Sequence, residues 1–108
     1  MKQTGELGVL GDYSFDEKTI NMHPNDGYDL GLMTSSHVVR IFPGSSMEEF
    51  ITGSAKSTFG TLYLNNDCKL GTVELSLRTV ERLGKPKRVR LAYAEDDSKY
   101  GKLLIEPV

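Results

Sequence analysis

Hydrophobic and polar residues alternate along this chain in short runs, and each run is bounded by turn-forming residues. Alternation with a period of two places the apolar side chains on one face of a strand. The pattern predicts about six to eight short strands, with candidates over residues 13–15, 19–22, 28–33, 37–42, 59–64, 71–75, 88–93 and 102–106. Residues 13–15 and 19–22 are expected to pair as a hairpin, and the glycine-containing residues 1–12 to form an irregular lead-in.

Cap and stop residues predict two short helices. Ser45 or Ser46 can cap the start of the first, acidic residues follow in its first turn, and Gly53 is suited to end it. Ser76 can cap a second helix over 77–83, which a glycine then closes. Turns are expected over residues 23–27, 65–67 and 95–98.

These elements predict one mainly β domain over residues 1–108, a small closed or partly closed β-barrel with one or two short helices. Residues 28–64 and 69–106 are similar to each other. Each segment holds Leu-Gly, then a Val-Arg-aliphatic strand, then aromatic-Gly-x-Leu-x-aliphatic. Either common strand patterns recur by chance, or a β unit is duplicated. In a duplicated barrel, the aromatic-Gly pairs would lie where a strand bends or another backbone comes close.

Length, charge and cysteine content narrow the function classes. The chain has 108 residues, enough for one domain with its own core. A formal charge of −2 and a pI of about 5.6 argue against polyanion binding over the whole surface. The single cysteine, Cys68, cannot form an internal disulfide, and the N-terminus lacks the apolar run of a signal peptide. No apolar run could span a bilayer, so we expect a cytoplasmic protein with no membrane partner.

Positive charge is concentrated between residues 78 and 90, where Glu81 is the single acid. Arg78 and Arg82 are four residues apart and share a face of the predicted helix. Arg88 and Arg90 share one face of the predicted strand. If these cations converge they form a phosphate-binding patch; otherwise they form an ordinary solvated face. The candidate binding residues are Arg78, Arg82, Lys85, Lys87, Arg88 and Arg90.

Candidate catalytic and metal-binding groups follow no recognised pattern. His23, His37 and Cys68 could supply three metal ligands or a nucleophile and its base, but their spacing matches no such motif. The acids at 95–97 lack the alternating order of a calcium loop. No nucleophile elbow or phosphate-binding glycine loop is present. We therefore expect no enzymatic activity, no catalytic residue, no metal and no cofactor.

One segment resembles a known family. Residues 71–84 read Gly-Thr-Val-Glu-Leu-Ser-Leu-Arg-Thr-Val-Glu-Arg-Leu-Gly. With the later strands, residues 71–106 resemble the AbrB-like, swapped-hairpin DNA-binding domains, in which a strand and a short helix ending in Leu-Gly precede a final hairpin. The matching residues are Gly71, Val73, Leu75, Leu83 and Gly84. The resemblance implies a DNA-binding regulator with Arg78 and Arg82 at phosphates. It also implies a homodimer that completes the barrel, although an internal duplication would let one chain complete it alone.

The expected function is a non-enzymatic binding module, a nucleic-acid-binding regulator acting on DNA or RNA through its basic patch. Two alternatives stay open. The first is a regulatory factor that docks an acidic protein partner on the same face. The second is a small-molecule-binding barrel, which requires a cavity lined by the aromatic residues Tyr28, Phe42, Phe59 and Tyr63.

Overall fold

The computed structural model describes residues 1–53, 56–95 and 100–108. Its strands are β1 (Lys2–Gln3), β2 (Leu7–Asp12), β3 (Thr19–Met22), β4 (Ser36–Pro43), β5 (Thr58–Leu64), β6 (Thr72–Ser76), β7 (Arg88–Ala94) and β8 (Gly101–Pro107). Its helices are α1 (Pro24–Tyr28), α2 (Met47–Thr52) and α3 (Leu77–Arg82).

Seven of these strands form a closed barrel in the order β7-β2-β6-β3-β5-β4-β8, and pairing of β8 with β7 closes the ring. Three neighbouring pairs are parallel: β2 with β6, β3 with β5, and β4 with β8. Strand β1 pairs antiparallel with the second half of β7, next to the pairing of β2 with its first half. The predicted fold class is confirmed, with three short helices in the described part of the chain instead of one or two. A single chain completes the barrel.

The strand directions give the barrel two distinct ends. Strands β2, β4, β6 and β8 run one way, and β3, β5 and β7 run the other. We call the end where β6 finishes and α3 begins the α3 end. The opposite end, where β3 finishes and α1 begins, is the α1 end. The α3 end also holds the starts of β3, β5 and β7, and therefore collects loops from all parts of the chain.

Alternation along each strand sorts its side chains between two apolar clusters. Val39 and Ile41 of β4 point into the barrel, where residues of every ring strand form a closed core. Phe42, on the outer face of the same strand, packs beneath α2 against Phe50, with ring centroids 5.3 Å apart in an edge-to-face contact. The interior is therefore filled by side chains, and α2 covers a second, smaller core outside it.

Local signals account for α2 and α3. Ser46 accepts a hydrogen bond from the Glu49 N–H at 3.1 Å while Glu49 accepts one from the Ser46 N–H at 3.2 Å, a reciprocal capping box. Gly53 ends α2 with a φ of 71°. Ser76 caps α3 by accepting from the Thr79 N–H at 3.1 Å. Both predicted helices are confirmed.

The predicted irregular lead-in over residues 1–12 is wrong, because this segment supplies β1 and β2. Glycines lower the intrinsic preference for a strand, and one of them lies against α3. A Cβ at Gly11 would lie 2.6 Å from Cδ2 of Leu77 on α3. The hydrogen-bonding partners of β2 are β6 and β7. These partners are distant in sequence, so the residues of β2 alone carry no pattern that predicts a strand.

The predicted hairpin over 13–15 and 19–22 is also wrong. Oδ1 of Asp12 accepts hydrogen bonds from the N–H and the hydroxyl of Ser14, at 2.8 and 2.6 Å, and this local turn ends β2. Residues 19–22 do form a strand, β3, but it pairs with β5 and β6.

The turn predicted over 23–27 is the helix α1. Nδ1 of His23 accepts a hydrogen bond from the Asn25 N–H at 3.0 Å. Pro24 occupies the first helical position, where a backbone N–H would have no partner within the helix, so proline loses no hydrogen bond there. The strand predicted over 28–33 is wrong, because the helix and the turns after it occupy this segment, with Gly31 at a φ of 77°. The turn predicted over 95–98 lies, apart from Glu95, outside the described residues.

The two similar halves each contribute an antiparallel strand pair, β4 with β5 and β7 with β8. Their registers differ. Gly60 lies opposite Val39, whereas Pro107, and not the matching Gly101, lies opposite Val89. The duplication therefore stays a prediction.

Candidate functional site

Five of the six basic residues predicted from the sequence lie at the α3 end of the barrel. Arg78 and Arg82 are carried by α3 itself, and Lys85, Lys87 and Arg88 follow on the turn into β7 and on its first residue. Arg90 lies two residues further along β7. The fold thus brings most of the predicted patch to one end, but it divides the cations into groups with different partners.

Arg78 and Arg82 share one carboxylate. Glu17, in the loop before β3, lies 3.5 Å from Nη1 of Arg78 and 3.4 Å from Nη2 of Arg82. The arginine side chains are 81% and 56% exposed, so these contacts are solvent-screened and add little to stability. The two arginines and Glu17 together carry a net charge of about +1. The arginines therefore already contact one carboxylate and still have an excess of positive charge.

Arg90 has a partner on the neighbouring strand. It lies directly opposite Glu106 of β8, and its Nη1 is 3.9 Å from the carboxylate. This cross-strand contact partly offsets the charge of Arg90 and leaves its guanidinium partly exposed to solvent.

Lys85, Lys87 and Arg88 form what we call the basic turn. All three are exposed, and none of them makes an ion pair or side-chain hydrogen bond with the described part of the chain. Three cations therefore project into solvent within four consecutive positions. Such a cluster attracts anions and repels other cations.

The backbone of the basic turn is hydrogen-bonded at both ends. The Lys85 N–H donates to the carbonyl of Val80 at 2.8 Å, and the N–H of the preceding glycine donates to another carbonyl of α3. These two hydrogen bonds form a Schellman motif at the end of the helix. The carbonyl of Lys87 accepts from the Val9 N–H of β2 at 3.1 Å. Lys85 adopts a left-handed backbone with a φ of 55°, which is uncommon for a residue other than glycine. The cations are thus presented on a turn anchored to α3 and β2.

Arg82 also borders a groove that sequence reasoning did not predict. This groove, of about 570 Å³, lies between the β4–α2 connection, the start of β5 and the end of α3. Lys56, Ser57 and Thr58 line it, together with Ser45 and Glu49. Lys56 was missed because it is an isolated lysine in the sequence, and only the closure of the barrel places it beside α3.

The candidate metal and nucleophile residues have ordinary structural roles. His23 caps α1, and Nε2 of His37 is hydrogen-bonded to the hydroxyl of Thr34 at 3.0 Å. Burial, reinforced by a hydrogen bond to Glu74, raises the pKa of Cys68 to about 11, so its thiol is protonated at neutral pH. The described residues contain no group of three or more potential metal ligands.

The four aromatic residues considered for a small-molecule cavity do not line a common space. Phe42 is fully buried beneath α2, whereas Tyr28, Phe59 and Tyr63 are exposed on the surface. Within the described residues these four side chains therefore form no common cavity, and the small-molecule-binding barrel stays a prediction.

Comparison with protein-family models, with curated proteins and with solved structures gave no match to this chain. None of the helices within residues 1–53, 56–95 and 100–108 has both the length and the hydropathy needed to cross a membrane.

Proposed function

We propose that this protein is a non-enzymatic module that binds nucleic acid, DNA or RNA, through the phosphates. The observation that carries the proposal is the basic turn: Lys85, Lys87 and Arg88 are exposed, clustered, anchored through their backbone and without an ion-pair partner in the described residues. Arg78 and Arg82 extend the positive surface along α3.

Phosphate binding of this kind has a measurable signature. Each neutralised phosphate releases condensed counterions, and the logarithm of the binding constant falls with a slope of about −0.9 per phosphate on duplex DNA. Three contacts predict a slope of roughly −3, which corresponds to an affinity loss of about 40-fold between 50 and 200 mM salt. An overall charge of −2 keeps non-specific binding elsewhere on the surface low.

The experiment is a salt titration of fluorescence anisotropy with labelled DNA and RNA. Lys87→Gln should weaken binding and reduce the salt slope by about 1. Lys69→Gln, an exposed lysine on the β5–β6 connection at the α1 end, is the matched control and should leave the slope unchanged. The proposal fails if no oligonucleotide binds at low salt, or if the Lys87 and Lys69 variants are equivalent.

A second candidate is supported by the contact of Arg78 and Arg82 with Glu17, which shows that α3 can hold a carboxylate. In this alternative the same end docks an acidic protein. Affinity capture from lysate, repeated after nuclease treatment, separates the two functions, because only a direct protein partner survives the nuclease. The cytoplasmic location and the homodimer stay predictions; sedimentation of the purified chain tests the latter.

A further inference from the structure

The outer face of β3, β5 and β4 forms a second surface at right angles to the α3 end. Cross-strand pairing arranges its outward side chains in three rows. Arg40 lies beside Phe59 in the first row, and Tyr63 lies between Ser36 and Asn21 in the third. No described helix covers these rows, in contrast to the neighbouring face beneath α2.

Two aromatic side chains on this face are exposed to solvent. Phe59 is 52% and Tyr63 is 43% exposed, although large aromatic residues are usually buried. They are four residues apart on β5 and so point to the same side, roughly 13 Å apart. An edge-to-face contact with Tyr100, with centroids 5.5 Å apart, orients the Phe59 ring. The oriented Phe59 ring and the exposed Tyr63 ring can each take a planar group on one face.

Positive charge borders the aromatic residues at the start of β5, beside Phe59. Arg40 is paired with Phe59 across the sheet, and its guanidinium donates to the hydroxyl of Ser57 at 3.1 Å. Ser57 belongs to the groove that Lys56 and Arg82 line. The groove therefore opens onto the aromatic face at the start of β5. A ligand with planar groups and a charged backbone can place its planar groups on the rings and its charged backbone in this groove.

The other end of the aromatic face carries an unsatisfied acceptor. Oδ1 of Asn21, opposite Tyr63, is buried and has no hydrogen-bond partner within the described residues. Asn21 and Tyr63 line a cleft of about 700 Å³ that the turn after β5 completes. An unpartnered buried acceptor is destabilising, and a ligand N–H donor would satisfy this one after the half-buried Asn21 side chain rotates toward the cleft. Exocyclic amines of nucleic-acid bases are donors of this type.

We infer that this face binds the unstacked bases of a single-stranded nucleic acid, with bases on Phe59 and Tyr63 and phosphates toward Arg40, Lys56 and Arg82. The inference rests on the proposed function and narrows it from nucleic acid in general to single strands. Bases in a duplex are stacked on one another and their faces are unavailable, whereas a single strand presents them to aromatic side chains. Asp67, the one acidic residue among the described residues that line the cleft, opposes phosphates there, so the phosphate path follows the groove beside Arg40 and Lys56.

The test compares two labelled single strands of equal length and charge, one with bases and one abasic, together with a duplex. The base-containing strand should bind tighter than the abasic one. Phe59→Ala and Tyr63→Ala should each weaken its binding by roughly 5- to 150-fold and leave the abasic strand unaffected. Tyr13→Ala is the matched control, because Tyr13 is an exposed aromatic residue outside this face. Asn21→Ala should reduce the preference for adenine and cytosine, which carry exocyclic amines, over thymine.

The outcomes separate this inference from the function on which it rests. If the two single strands bind equally, or if the Phe59 and Tyr63 substitutions weaken all ligands to the same extent, the stacking face is refuted while the basic turn stands. The same conclusion follows if the duplex binds as tightly as the base-containing strand. If neither strand nor duplex binds at about 50 mM salt, the nucleic-acid function and the stacking face are both refuted.

Discussion

Gly60, in the middle of β5, offers a quantitative test of the barrel's packing. A Cβ at this position would lie 2.6 Å from the carbonyl oxygen of Lys18 and 2.5 Å from Cδ1 of Ile41. The isoleucine side chain can adjust, but the Lys18 carbonyl is backbone and accepts a hydrogen bond from the Thr61 N–H at 2.7 Å. Gly60→Ala must therefore displace one strand from another.

The expected cost follows from three terms. Overpacking against backbone contributes about 3 kcal/mol, the upper part of the usual range. Weakening of the hydrogen bond to Thr61 contributes about 1 kcal/mol. Alanine lowers the conformational entropy of the unfolded chain, which offsets about 0.7 kcal/mol of this destabilisation. The net destabilisation is about 3 kcal/mol, which for a domain of this length lowers Tm by roughly 12 °C.

Thermal and urea unfolding followed by circular dichroism would measure this effect. Gly5→Ala is the control, because no atom lies within 4 Å of a Cβ there and its φ is not positive; it should change stability by less than about 1 kcal/mol. Gly53→Ala has space but a φ of 71°, and should cost about 1 kcal/mol. If Gly60→Ala proves as mild as Gly5→Ala, the close approach of β3 and β5 is wrong.

Three further predictions follow from local geometry. Ser46→Ala removes the cap of α2 and should destabilise the protein by about 1 kcal/mol in urea unfolding, whereas Ser45→Ala should have little effect; equal effects would contradict the capping box. Because the pKa of Cys68 is raised to about 11, alkylation of the native thiol should be slow at pH 8 and should accelerate as the pH rises toward 11. In denaturant the thiol should react fully at pH 8. Rapid alkylation of the native protein at pH 8 would refute the burial of Cys68. Lys85→Gly should raise the unfolding free energy by about 0.5 kcal/mol, because relief of left-handed strain outweighs the entropy that glycine loses, and should weaken nucleic-acid binding; a less stable variant would contradict the strain argument.

Elements encoded by neighbouring residues were predictable. The start of α2 is defined by Ser46 and Glu49, three residues apart, and its end by Gly53. The cap of α3 by Ser76 has the same local origin. Strands β4 and β7 carry alternating apolar residues that face the barrel interior. In each case the signal, a capping residue or an alternating apolar pattern, lies within the segment, so the sequence is sufficient to predict the element.

The errors concern segments whose conformation depends on distant partners. β2 is a strand because β6 and β7 supply its hydrogen bonds. Residues 28–33 show an alternating pattern, but Asp26 of α1 accepts a hydrogen bond from the Gly71 N–H at 2.8 Å. That bond ties α1 to a distant connection, and both Leu30 and Leu32 are buried after the helix ends. A periodic pattern can show which residues avoid water, but it does not specify which segment covers them.

The same division holds for the candidate site. The sequence alone determined that positive charge is concentrated between residues 78 and 90 and that Arg78 and Arg82 share a helical face. Only the tertiary structure decided that Glu17 and Glu106 contact three of these cations and that the basic turn has no ion-pair partner within the described residues. The physical reason is that charge density is a property of the segment itself, whereas ion pairing, exposure and neighbouring surfaces depend on which distant strands the barrel brings together.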